Sequence, residues 1–485
     1  MDKNSGNKIT TNLGWKLLEL GGTQGIQAVV SIILARILSP DEVGTIGLIT
    51  IFITIANTFV QSGFATALIQ KKDVEDNDFS SVLWVSLAFA VVMYAILFAG
   101  APAAAAFYDI EILTKLLRVT GIILFPGAVA SIQTSYVSRS MQFRKLFAGS
   151  LIAVVISGII AIIMAMNGFG VWAMSAQQII YWFVLMFVML FMISWKPKFV
   201  LAWNRVREFL SFGWKILAAG LIDTVWSNVY GLVIGKRFSP AELGGFNRGE
   251  QFPKLIASNL GTAIQSVMLP AYSKVQDEKE TLRDMLKATI TYSGFVLAPM
   301  MAGLIAVSKP LISLLLTDKW LFCVPYLRIL ALSYILWPIH TANLQAINAQ
   351  GRSDLFLKLE ILKKISGIIF LLISIRFGIM TILICKTVNE CVCAFLNSHS
   401  NEKLLGYGFG KQLLDMLPSF ICAAVMCAVT MAVQLLPFTG IILLAVQIAA
   451  GIISYAIISL IINRKTFMAA VGLVKNAIGS GCQSS

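Results

Sequence analysis

Apolar stretches of membrane-spanning length, each bounded by charge, Gly or Pro, recur along almost the whole chain. About 20 apolar residues cross a hydrocarbon core as a helix, so the pattern predicts about fourteen transmembrane spans. The first six cover 14–38, 43–69, 80–107, 112–137, 147–166 and 171–195, with Ser39-Pro40-Asp41 turning the chain between the first two. A basic connection at Lys196-Pro197-Lys198 leads to a second set at 209–235, 252–270, 289–307 and 324–349. Four more lie at 356–375, 379–397, 413–436 and 441–462. Residues 1–13 are polar, and the apolar window after them is too long for a cleaved signal peptide, so it is expected to remain as the first span.

The pattern repeats internally. Gly14-Trp15-Lys16-Leu17-Leu18 recurs as Gly213-Trp214-Lys215-Ile216-Leu217, and Gly21 recurs as Gly220 at the same offset. Ser39-Pro40-Asp41-Glu42-Val43-Gly44 returns as Ser239-Pro240-Ala241-Glu242-Leu243-Gly244, one residue out of phase, as a duplication with one insertion would leave it. About six spans separate the copies, an even number, so the repeats are parallel and related by an axis along the membrane normal. The expected organisation is a six-helix lobe over 1–200, a second over 201–400, and two extra helices with a tail over 401–485. Paired lobes suit a transporter that alternates access to a cleft between them.

Composition agrees with this placement: of 485 residues, 58% are hydrophobic and only 13% charged, which leaves no room for a sizeable soluble domain. Lys and Arg number 38 against 24 Asp and Glu, a net charge of +14. No run combines clustered basic residues with aromatics, so the excess reads as positive-inside bias and not as a nucleic-acid surface. With alternating loops and a cytoplasmic N-terminus, roughly 26 basic residues fall inside against about 12 elsewhere, which places both termini in the cytoplasm. The seven cysteines, Cys482 among them, lack redox or zinc spacing and read as small hydrophobes; no metal or cofactor is expected. No Gly-rich loop ending in Lys-Ser/Thr appears, so ATP is not the expected direct energy source.

More specific than hydropathy are several local pieces: the repeat, the run from Asn343 through Gly351-Arg352-Ser353-Asp354 to Lys358, Ala35-Arg36-Ile37-Leu38-Ser39-Pro40 with Gly44, Gly63 before Ala67-Leu68-Ile69-Gln70, Arg139 with Phe143, and Leu269-Pro270-Ala271-Tyr272-Ser273-Lys274. In these, and over nearly its whole length, the chain resembles the polysaccharide transporter branch of the multidrug/oligosaccharidyl-lipid/polysaccharide exporter superfamily. The resemblance implies two lobes of six helices plus two C-terminal helices in the bacterial inner membrane. It also implies flipping of undecaprenyl-diphosphate-linked repeat units for O-antigen, capsule or exopolysaccharide. Members that flip the peptidoglycan precursor carry several arginines in their first two helices. The first span here offers Glu19, Gln24 and Gln27 instead, which argues against that substrate.

A diphosphate with attached sugars crosses about 30 Å of hydrocarbon only through a polar cleft that offers it cations, so charges inside spans are the candidate site. Arg248 leads for the diphosphate, with Lys254 six residues on; the competing reading is an interfacial Arg248 paired with Glu250. Asp223, with Ser227 and Tyr230 on its helical face, is expected to be a buried carboxylate that takes a proton or Na+, or else partners a cation. Glu19 has Lys16 one turn away as a local partner. Lys386, Asn389 and Glu390 stand mid-span, where lining the cleft and gluing helices are both open. Arg328, His340, Asn343 and Gln345, around Pro338, read as a wet cavity wall. Arg352 and Lys358 sit at the cytoplasmic mouth, where anionic lipid head groups or plain solvation would suit them. The expected partners are the lipid-linked oligosaccharide, membrane lipids and a coupling cation, H+ or Na+, and the protein is expected to act as a monomer. Two rivals are an ion-coupled drug exporter of the same superfamily and a membrane glycosyltransferase or polymerase using the same carrier. The cationic candidates weigh against the first. Outer loops under about fifteen residues weigh against the second.

Overall fold

The computed structural model describes residues 3–61, 63–71 and 73–472, and the side chains of 3–14, 16–18, 20 and 212 are outside the described set. Cys482 and the side chain of Lys16, the expected partner of Glu19, therefore lie outside the described residues. Among the described residues every regular element is a helix, and eleven helices are long and apolar enough to cross a bilayer. The chain forms two compact units, Met1–Gly244 and Gly245–Ser485.

The first unit holds α1 (Lys3–Ile37), α2 (Pro40–Gln61), α3 (Phe64–Gln70), α4 (Asp76–Tyr108), α5 (Ile112–Thr120), α6 (Leu124–Arg139), α7 (Phe143–Met166), α8 (Val171–Met192) and α9 (Trp203–Arg237). It ends within the first turns of α10 (Pro240–Lys274). The second unit continues α10 and adds α11 (Lys279–Leu316), α12 (Val324–Tyr334), α13 (Trp337–Ala349), α14 (Ser353–Ser374), α15 (Ile379–Leu405), α16 (Phe409–Ala432) and α17 (Gly440–Ile462).

Three expected spans are broken helices. Gly63, at a φ of 87°, separates α2 from α3, a single 3-10 turn joins α5 to α6, and the expected break near Pro338 divides α12 from α13. Others run past their expected ends. α1 begins at Lys3 and α11 extends over 38 residues, because polar and charged turns carry a helix on into the interface where a hydropathy reading stops at the first charge. α10 and α14, of 35 and 22 residues, are not among the apolar eleven, α10 because Ser, Asn, Gln and Thr interrupt its charge-free half and α14 because of Lys358, Glu360, Lys363 and Lys364.

The repeated Ser-Pro-x-Glu motif is a helix start. The Ser39 amide donates to Glu42 Oε2 at 2.7 Å and the Glu42 amide to Ser39 Oγ at 3.3 Å, with Pro40 as the first helical residue. In the second copy the Glu242 amide donates to Ser239 Oγ at 3.2 Å. The glycines that close the two motifs meet each other: a Cβ on Gly44 would lie 1.6 Å from the Pro240 carbonyl oxygen, and one on Gly244 2.5 Å from that of Pro40. Within the first unit the repeat is thus a reciprocal crossing of two helix starts, open only to residues without a side chain.

Each unit has its own interior. Phe64, Phe79, Trp195 and Phe209 pack together in the first, where the Trp195 indole donates to the Asp76 carbonyl at 3.1 Å. Tyr272, Ile290, Ala346 and Met416 pack in the second. Facing outward are large apolar side chains such as Phe191, Ile452 and Ile461, as expected of surfaces that meet lipid and not water.

Candidate functional site

The sequence candidates that come together do so in the second unit. On α10, Phe246, Glu250 and Lys254 recur at four-residue spacing and so share one helical face. From α15, Lys386 reaches across to hydrogen-bond and ion-pair with Glu250 Oε1, and its ammonium lies 5.3 Å from the centre of the Phe246 ring. The Tyr334 hydroxyl, from the end of α12, donates to the same carboxylate oxygen at 3.2 Å. Lys254 approaches the other oxygen at 4.0 Å. The side chains of Glu250 and Lys386 are only 15% and 13% exposed, whereas Lys254 is 57% exposed.

One turn further along α15, Glu390 Oε2 stands 3.5 Å from His340 Nε2 on α13, and His340 Nδ1 lies 3.3 Å from the Asn397 amide. Asn389 accepts from Ser366 Oγ at 2.8 Å, next to the Lys363–Glu360 pair on α14. Charges from three helices, α10, α14 and α15, are therefore set against one another inside an apolar framework, with the His340 imidazole from α13 beside them, so each charge offsets part of the other's desolvation cost.

Beyond this group lies a second polar set of a different kind. Asn343 donates to Gln412 Oε1 at 2.8 Å and accepts from Gln412 at 3.0 Å and from Asn401 at 2.8 Å, while Ser398 donates to Gln412 at 2.9 Å. Asn343, Ser398, Asn401 and Gln412 are wholly buried. They tie α13, α15 and α16 together, so Asn343, expected in a wet wall, is structural glue, and Gln345 is likewise buried. Arg328, half-buried, donates through Nε to Ser308 Oγ on α11 at 2.8 Å.

Arg248 departs most from expectation. It is 6% exposed, donates to Gln251 Oε1 at 2.9 Å, and stacks its guanidinium 5.9 Å from the centre of the Trp320 ring. Two residues apart on a helix point about 200° away from each other, so Arg248 and Glu250 serve opposite sides of α10. The neighbouring Gly245 and Gly249 let Phe322 and Tyr326 press close on the Arg248 side. The cation expected to face substrate is instead packed among aromatics.

The remaining candidates stand apart from this group. Asp223, expected to be buried, is exposed on α9 together with Ser227, while the adjacent Thr224 turns to α2 and meets the Thr58 hydroxyl at 3.1 Å. Gln24 and Gln27 are exposed on α1, and Glu19 is half-buried. At the start of α14, Arg352 holds Asp354 with two hydrogen bonds of 2.9 and 2.8 Å, and that bidentate pairing pulls the Asp354 carboxyl down to about 2. Lys358 is exposed one turn on. An apolar cavity of about 560 Å³, lined by Phe295, Met300, Leu304, Met426 and Ile452 among others, opens between α11, α16 and α17.

The fold has counterparts among solved structures. It is similar to the lipid II flippase MurJ in an inward closed conformation, with a TM-score of 0.74, 16% identity and coverage of 92% of this chain and 98% of that one. A multidrug resistance MATE family transporter in its inward-facing conformation superposes with a TM-score of 0.61 at 14% identity, over 79% of this chain and 94% of that one. At these identities the likeness shows the fold alone. Residues 33–325 match the polysaccharide biosynthesis protein family, and the chain belongs to it. Among its relatives are the succinoglycan biosynthesis transport protein ExoT of Rhizobium meliloti (strain 1021), 27% identical over 69% of this chain and 68% of that protein, and the teichuronic acid biosynthesis protein TuaB of Bacillus subtilis (strain 168), 26% identical over 62% of each. The lipopolysaccharide biosynthesis protein WzxC of Escherichia coli (strain K12) is 21% identical over 73% of each. The chain is a multi-pass membrane transporter of polysaccharide biosynthesis and not an enzyme.

Proposed function

We propose that this transporter flips an undecaprenyl-diphosphate-linked oligosaccharide across the bacterial inner membrane by alternating access, with both termini in the cytoplasm. The observation that carries the reading is the charged face of α10 and α15. Ion pairs at membrane depth are costly and are kept where they serve a polar path. This face joins the neutralised pair Glu250–Lys386 to a cation, Lys254, that is more than half exposed and so able to meet a phosphate. Arg248 supports the helix from behind by packing on Trp320, and Lys254, the second candidate on this helix, makes the diphosphate contact expected first of Arg248. The cavity between α11, α16 and α17, almost entirely apolar, suits a hydrocarbon chain. The His340–Glu390 contact beside the pair is a place where a proton or Na+ could be exchanged, and Asp223, exposed on α9, is a second.

The test is complementation of a strain lacking this protein, with surface polysaccharide and accumulated lipid-linked repeat units measured together. Lys254→Gln at normal membrane level should cut export and raise the lipid-linked pool, and Lys254→Arg should restore both. Full export by Lys254→Gln would remove this face from the path.

A further inference from the structure

One end of the α14–α15 hairpin carries a feature that transport through the charged face does not use. The first turns of α14 and the last turns of α15 enclose a cavity of about 310 Å³. Arg352, which caps α14, Lys358 on α14, and His399, Ser400 and Lys403 from α15 supply its polar lining. Leu355, Leu359, Leu362 and Leu396 supply most of the rest. On α14 the residues 352, 355, 359 and 362 are spaced three, four and three apart, and on α15 the residues 396, 399 and 403 three and four apart. Each helix thus turns one mixed stripe to the cavity. From 352 to 362 that stripe runs about 15 Å along the helix, half the thickness of a hydrocarbon core.

The charges do not cancel within the cavity. Asp354 is held by Arg352, and Glu402 lies 3.3 Å from His399, but neither carboxylate lines the space. Lys358 and Lys403, one from each helix, are exposed and enter no ion pair among the described residues. Two solvated basic residues would need no cavity and no leucine floor, and a soluble anion would gain nothing from that floor. A phosphate carried on a hydrocarbon chain uses both halves.

We infer that this cavity is a binding site for a phosphate-bearing lipid, with the head group on Lys358, Lys403 and Arg352 and the chain along Leu355, Leu359 and Leu396. It takes its side of the membrane from the orientation proposed above, which sets it in the cytoplasmic leaflet. Two lipids there have this chemistry: an anionic phospholipid such as phosphatidylglycerol, and the polyprenyl diphosphate carrier itself.

Native mass spectrometry of the purified full chain, after incubation with phosphatidylglycerol or phosphatidylcholine in detergent, tests the site directly. The wild type should retain phosphatidylglycerol in preference to phosphatidylcholine, and the double variant Lys358→Glu/Lys403→Glu should bind it at least about tenfold more weakly. Both side chains are exposed, so the fold should survive; a monodisperse elution profile checks this, and Lys274→Glu, an exposed charge elsewhere, should bind like wild type. Displacement of phosphatidylglycerol by undecaprenyl diphosphate assigns the site to the carrier, and its persistence assigns the site to the bulk phospholipid; both support a lipid phosphate site. Equal retention of the two phospholipids, unchanged binding by the double variant, or displacement by inorganic phosphate alone as readily as by lipid would overturn it. The readout is binding and not export, so this site and the flippase reading can fail independently.

Discussion

Removing Lys386 from its pair with Glu250 should destabilise the second unit by more than the loss of its own contacts. Breaking a fully buried ion pair from one side costs about 3–5 kcal/mol, mostly the penalty of the charge left behind. Here Glu250 keeps the Tyr334 hydroxyl at 3.2 Å and Lys254 at 4.0 Å, and both partners retain some exposure, so Lys386→Met should cost about 2 kcal/mol, near thirtyfold in the folding equilibrium. Glu250→Gln alone should cost a similar amount by removing the buried charge that Lys386 pairs with. The double variant Glu250→Gln/Lys386→Met strands nothing and should recover about 1–2 kcal/mol of the summed losses. Reversible unfolding of the purified protein in mixed micelles, followed by tryptophan fluorescence, measures all four corners of this cycle. Single costs that simply add in the double variant, within about 0.5 kcal/mol, would show that the two charges do not depend on each other.

Gly44→Ala should cost about 3 kcal/mol, because its Cβ would fall on the Pro240 backbone and no rotamer relieves that; Gly100→Ala, with open space around it, is the control, and equal thermal stability of the two would refute the crossing. Gln412→Leu strips four hydrogen bonds, to Asn343, Ser398 and the Tyr407 carbonyl, from a wholly buried network and should cost about 1–3 kcal/mol, read as a lowered unfolding midpoint with export reduced only in proportion to protein level. Asp354 is held below its ordinary value of 3.8 at about 2, so its pairing with Arg352 should be intact above 3.8 and lost as pH falls through about 2. Carboxylate NMR of labelled protein should show that midpoint, and a titration near 3.8 would mean that the pair does not form in solution.

Much of the fold is legible in the sequence because hydropathy and repetition are both direct physical signals. Apolar windows locate the spans, and the Ser-Pro-x-Glu-x-Gly repeat marks two equivalent helix starts, though nothing in the sequence says that Gly44 and Gly244 touch. The ends of helices were less visible: α11 continues through Lys287 and Lys309, which a hydropathy reading treats as boundaries. Of the candidate site, the intramembrane charges on α10 and α15 are found by their cost in lipid alone, which is why Lys254, Lys386 and Glu390 emerge early, while Glu250 enters only as a partner for Arg248. Their pairing across helices is not, since spacing suggests Lys386 with Glu390 four residues on and the structure also gives it Glu250 from another helix. Arg248 shows the limit of the same argument. A charge inside a span needs a partner, but an aromatic ring such as Trp320 serves as well as a substrate, and sequence does not say which. Asn401, Gln412 and His399 were missed because the expected spans stop at 397 and resume at 413, which leaves all three in a connection where a polar residue calls for no partner, whereas α15 runs on to Leu405 and α16 starts at Phe409; the four-residue recurrence of Asn389, Asn397 and Asn401 on one face of α15, in register with Cys393, was the available signal.

The account stands most directly on movement of the lipid-linked glycan itself. Purified protein in proteoliposomes, loaded with a fluorescent undecaprenyl-diphosphate-linked oligosaccharide, would be exposed to a membrane-impermeant quencher. Glycan initially confined to the protected leaflet should become accessible only in vesicles that contain the transporter, more slowly with Lys254→Gln, and a fluorescent phosphatidylcholine in the same vesicles should stay where it was placed. No change in glycan accessibility, or equal movement of the phosphatidylcholine, would contradict the assignment.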